Sequence, residues 1–70
     1  MILVFKTSIS SKKKAKQVKP YLDKLLTSGE KWNFDLEDCD NILRIDSEDD
    51  VSRMVVLELN NLGYECVELE

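Results

Sequence analysis

The apolar residues of this 70-residue chain switch from strand spacing to helical spacing and back twice, and that order restricts the fold more than any other feature. Leu3 to Thr7 is rich in β-formers and bounded by serines, which predicts a strand. Ala15, Val18, Leu22, Leu25 and Leu26 then recur at helical spacing with lysines between them, predicting an amphipathic helix that ends near Gly29. Ser10 or Ser11 offers a side-chain oxygen to the unpaired amides of its first turn. Pro20 falls inside this helix and is expected to bend it on the solvent side. Trp32, Phe34 and Leu36 alternate with Asn33, Asp35 and Glu37, the period of a half-buried strand. Asp38-Cys39-Asp40-Asn41 supplies turn residues, and Ile42 to Ile45 returns as the second strand of a hairpin. Ser47 followed by Asp50 reads as a capping box, with Glu48 and Asp49 on the amino-terminal dipole of a helix that runs to about Leu62 and stops at Gly63. Glu65 to Leu69 is a last short strand. The expectation is an α+β fold of one domain, residues 1–70: a ferredoxin-like βαββαβ plait with two helices on one face of an antiparallel sheet.

At this length the core is small, and roughly 0.05 to 0.15 kcal/mol per residue gives a stability of about 4 to 10 kcal/mol. No apolar run reaches the roughly 20 residues of a membrane span, so membrane insertion is not expected. The start of the chain does not resemble a signal peptide, because its basic segment follows the apolar one. Two cysteines, Cys39 and Cys66, are too few for a disulfide framework and fit a reducing, cytoplasmic setting. Charge is unevenly distributed: residues 1–29 hold seven lysines and one acid, net +6, whereas residues 30–70 hold three basic residues and thirteen acids, net −10. Such asymmetry bears on association rather than on fold.

Phe5-Lys6-Thr7-Ser8-Ile9, then Val18, Pro20, Tyr21 and Leu22, then Trp32, Asp35, the Ile42-Leu43 strand and Gly63-Tyr64 resemble a heavy-metal-associated domain of the small copper-chaperone type. The resemblance covers essentially the whole chain. Members of that family carry Met-x-Cys-x-x-Cys in the first loop, and counting back from Val18 and Leu22 puts Ser11 and Lys14 at the cysteine positions and Ile9 at the methionine. A serine hydroxyl and an ammonium cannot replace two thiolates as ligands for a soft ion, and Lys14 adds a positive charge where the cation would sit. The resemblance thus implies the scaffold without its metal site, and no cofactor. Its functional implication is a degenerate member acting as a small protein-interaction or accessory module, in metal homeostasis or elsewhere, with residual weak metal binding through other groups as a further alternative.

Other features compete with that reading. Lys12, Lys13 and Lys14 crowd a helix start where each cation costs a few tenths to about 1 kcal/mol. They form either a solvated lysine face or, with Ser10 and Ser11, a site for a small anion at the helix amino terminus. The same lysines, by the family resemblance, suit an acidic protein partner, and self-association of the basic helix with the acidic hairpin is a further possibility. On the second helix Val55, Val56, Leu59 and Leu62 form one apolar face. Met54 and Leu57 fall off it, with Val51 near its edge, marking either an interface or ordinary exposed apolar residues. Cys39 sits among carboxylates that disfavour a thiolate, and Cys66 fits a small core position on the last strand. Asp38, Asp40 and Asn41 lack the spacing of a calcium loop. With no histidine and no nucleophile that has a visible base, enzymatic activity is not expected. Neither is nucleic-acid binding, because Asn33, Asp35, Glu37 and Asp46 make the sheet face opposite Trp32 and Phe34 repel phosphate.

Overall fold

A computed structural model of the chain describes residues 1–26, 30–36 and 41–69. Six elements follow in order: β1 (Ile2–Thr7), α1 (Lys12–Leu25), β2 (Lys31–Asp35), β3 (Ile42–Asp46), α2 (Ser52–Asn61) and β4 (Cys66–Leu69). The strands form one four-stranded sheet in the order β2-β3-β1-β4, with every neighbouring pair antiparallel. The α+β class and the element order are those expected from the apolar spacing. Among the described residues no helix is long and apolar enough to cross a membrane.

Register explains where the core lies. Leu3 stands opposite Ile45 and Phe5 opposite Leu43, while Trp32 and Phe34 of β2 face the same two β3 residues from the other side. Successive side chains of a strand alternate between faces, so these six residues share one face. Val18 and Leu22 of α1 and Val55 and Leu59 of α2 join them in a single buried cluster. Ala15, Val18, Leu22 and Leu25 therefore form the stripe by which α1 covers the sheet.

Both ends of α1 and the end of α2 are capped. Ser11 Oγ accepts the Lys14 N–H at 3.2 Å, so Ser11 rather than Ser10 caps α1. The Leu26 N–H reaches Leu22 O at 2.8 Å and closes the helix before Gly29, which lies outside the described residues. Pro20 lies within α1 and is exposed to solvent. At the end of α2 the Tyr64 N–H bonds Leu59 O at 2.9 Å and the Gly63 N–H bonds Asn60 O at 3.0 Å. With Gly63 at φ 92, this is a Schellman termination, which needs the left-handed conformation that glycine adopts without strain.

The start of α2 differs from expectation. Ser47 and Asp50 do not form a capping box; the helix begins at Ser52, and no side chain caps it. Ser47 Oγ instead accepts the Asp49 N–H at 3.2 Å, and Asp50 Oδ1 accepts the Ser52 N–H at 3.0 Å. Two successive local turns thus take up the side chains that would have capped an earlier start. Glu48 and Asp49 consequently lie outside the first turn, which holds no acid. The bonds from Ser52 hold the Asp50 carboxyl below its ordinary value.

Candidate functional site

The loop between β1 and α1, where the family resemblance would put metal ligands, is tied down from three sides. Thr7 is buried, its hydroxyl donating to Asn41 O at 2.8 Å and accepting the Ile9 N–H at 3.2 Å. Ser8 and Glu65 exchange two bonds: Ser8 N–H to Glu65 O at 3.1 Å, and Glu65 N–H to Ser8 Oγ at 2.9 Å. Ile9 is fully buried and forms an apolar plug beneath the loop. Ser10, Lys12, Lys13 and Lys14 are exposed, and the Ser11 hydroxyl is engaged as the helix cap. Among the described residues no group of three or more His, Cys, Asp or Glu could hold a metal ion.

Cys66 is 5% exposed on β4, opposite Thr7. It fills the small core position expected of it, and burial pushes its thiol up from 9.0 to about 11. Such a thiol stays protonated and inert at neutral pH. Because the folded-state value is the raised one, the associated stability is complete below pH 9 and is lost as pH climbs through 11. Urea unfolding at pH 8 and pH 10.5 should show wild type losing about 2 kcal/mol more than Cys66→Ala across that interval. Equal losses in the two proteins would show that the thiol is not buried. Cys39, Asp38 and Asp40 lie outside the described residues.

The three residues proposed for an α2 interface do not share a surface. Val51 is only 7% exposed and packs in the core, one helical turn before Val55 on the same buried face, so it is unavailable to a partner. Met54 and Leu57 are exposed at 47% and 56%.

A further concave feature lies elsewhere, between α1 and β2. It is an open groove of about 810 Å³, with Ala15, Trp32, Phe34 and Leu36 as its apolar floor. Lys12, Lys16 and Lys19 stand along its helix side, spaced four and three residues apart and so on one stripe. Lys31 joins them from the strand. Two of its acids are already engaged: Asp23 Oδ1 accepts the Trp32 indole N–H at 3.2 Å, and Asp35 pairs with Arg44 at 3.3 Å. The Trp32 and Phe34 rings meet edge to face at 5.7 Å and 79°, an arrangement that suits their quadrupoles and steadies the floor. Of the sequence-proposed loop residues only Lys12 reaches this groove.

A second feature escaped the sequence reading. The sheet face turned away from the helices is not uniformly polar: Ile2, Val67 and Leu69 are exposed on it at 61%, 60% and 39%. Of the acidic residues named for that face, Asp35 and Asp46 lie on β2 and β3, where Lys31 and Arg44 accompany them, and Glu37 lies outside the described residues. The signal was the uninterrupted apolar run Met1-Ile2-Leu3-Val4-Phe5, which supplies apolar side chains to both faces of β1.

No protein-family model matches the chain, and neither a curated protein nor a solved structure does.

Proposed function

We propose that this chain is a ferredoxin-like plait related to heavy-metal-associated domains, without their thiolate site, and that it works as a protein-interaction module. The strand order β2-β3-β1-β4, antiparallel throughout, supports the plait, and both helices contribute to the core on one side of the sheet. The replacement of two cysteines by Ser11 and Lys14 supports the loss of metal binding. One observation carries the interaction reading: a concave, apolar-floored groove with a charged rim at the free edge of the sheet. Interaction surfaces combine an apolar centre with a polar rim in this way, and exposed lysines alone would not make one.

Two measurements test the two halves. Titration of the reduced protein with Cu(I) and Zn(II) against a competing chelator should show no stoichiometric binding; tight uptake of one equivalent would restore a metal-carrying role. Selection from an unbiased peptide-display library should enrich sequences that lose binding to a Lys16→Glu variant. Enriched peptides indifferent to Lys16→Glu and to Lys12→Glu would place recognition outside the groove.

A further inference from the structure

We infer that the groove takes an extended acidic segment of a partner protein, which adds to β2 as a fifth strand. The inference rests on the interaction reading above and names the occupant of the same groove. Three independent features of the groove converge on it.

The first is the edge. β2 ends the sheet, and among the described residues no strand pairs with its outer side. The backbone groups of an edge strand that point away from the sheet remain available to a further chain. An extended peptide is the partner that satisfies them, since its own amides and carbonyls recur at the spacing of the ladder.

The second is the floor. Trp32 and Phe34 are half-buried, so part of each ring is covered by the core and part faces the groove. They are two residues apart on the helix side of β2, and a strand laid beside them would place its own alternate side chains against them. An occupant therefore needs apolar residues at positions i and i+2.

The third is charge. Lys12, Lys16, Lys19 and Lys31 are all exposed, and none forms an ion pair with a described residue. Asp35 is paired with Arg44, whereas Asp23 accepts only a neutral indole N–H; with Glu30 the lining holds three acids against four lysines, so it is net positive by one, or by two with the Asp35–Arg44 pair set aside. A basic occupant would be repelled along its length, whereas carboxylates flanking the apolar pair would meet the lysines. The same argument disfavours a second copy paired through β2, because the two lysine stripes would then face each other. Lengths agree as well. Lys12 to Lys19 rises about 10 Å along the helix and the five residues of β2 extend about 17 Å, which matches an extended segment of five to seven residues.

The test uses the full chain, labelled with ¹⁵N, and a synthetic peptide Glu-Glu-Val-Thr-Val-Glu-Glu. The expected result is saturable shifts confined to the amides of residues 31–36, the Trp32 indole N–H and the facing side of α1, with binding that weakens as salt rises. Replacing Lys12, Lys16 and Lys19 together by glutamine should weaken binding about tenfold, since each exposed pair contributes modestly. All three are exposed, so the variant should keep the wild-type spectrum elsewhere. A peptide with lysine for glutamate that binds as well at the same residues would overturn the acidic occupant while leaving the groove as an interaction surface. Equal binding by a peptide with serine for both valines, or with both valines N-methylated, would overturn strand addition onto the aromatic floor. A concentration-dependent mass of the protein alone, with shifts at β2, would make a second copy the occupant and overturn the proposal. Absence of any shift at β2 with all four peptides would remove the interaction reading itself.

Discussion

Phe5→Ala is expected to cost about 3 to 5 kcal/mol, a large part or all of the stability a 70-residue chain holds. The Phe5 ring is fully buried at the middle of the central β1 strand, opposite Leu43 and within the cluster that both helices contribute to. Its removal takes away transferred apolar area and leaves a void that α1 and α2 can only partly close, because each is pinned by Val18 and Leu22 or by Val55 and Leu59. Urea unfolding should show the transition midpoint shifted far down at an unchanged slope, or no folded baseline at all. Should the alanine variant fail to fold, Phe5→Leu keeps the measurement informative, with a loss below about 1.5 kcal/mol and wild-type slope. Val67→Ala, on the exposed face of β4, serves as the contrast and should change stability by less than about 0.5 kcal/mol. A cost for Phe5→Ala no larger than that of Val67→Ala would mean that the core is not where the register puts it.

The same packing shows why much of the fold was legible in the sequence. β1, α1 and the end of α2 announce themselves through local chemistry: β-formers ended by Ser8, apolar residues at helical spacing after Ser11, and Gly63 where a left-handed residue is needed. The start of α2 was misread for a local reason too. Ser47 and Asp50 have the spacing of a capping box, but a serine or aspartate beside its own backbone can satisfy a nearby amide without a helix. Both do so here, and the helix starts five residues after Ser47. Val51 stands four residues before Val55 and eight before Leu59, so its place in the core follows from the helical spacing of the buried face and not from where the helix starts.

The groove was illegible for a different reason. The stripe of Lys12, Lys16 and Lys19 and the alternation of Trp32 and Phe34 are each visible in the sequence, but separately. Their juxtaposition depends on β2 taking an edge of the sheet and on α1 lying beside it, which are consequences of strand order and not of any local pattern. Attention to Lys12, Lys13 and Lys14 as a cluster was drawn by adjacency in the chain. Neighbours on a helix are three and four residues apart, so Lys12 belongs with Lys16 and Lys19. The groove and the first loop are thus distinct parts of the molecule, sharing only Lys12, and a change in one can be made without dismantling the other.

That separation makes a decisive test of the scaffold possible: the paired variant Ser11→Cys, Lys14→Cys is expected to gain Cu(I) binding at one equivalent, and the parent chain is expected to show none. Ser11 Oγ lies 3.2 Å from the Lys14 amide, so the two positions stand together on the first turn of α1. Thiols there would be at a helix amino terminus, which favours the thiolate form and supplies the two soft donors that a serine and a lysine do not. The substitution also removes an ammonium from the place a cation would occupy. Loss of the Ser11 cap should cost about 1 kcal/mol in the metal-free variant, and metal binding to the folded form should return at least that much as a raised unfolding midpoint. The loop needs no remodelling for this, since Thr7, Ser8 and the buried Ile9 hold it through bonds and contacts that do not involve either substituted side chain. Single variants should bind far more weakly, because one thiolate leaves the ion without its second soft donor. If the double variant folds and still takes up no Cu(I) under reducing conditions, positions 11 and 14 are not the ligand positions, and the relation to heavy-metal-associated domains fails at its most specific point.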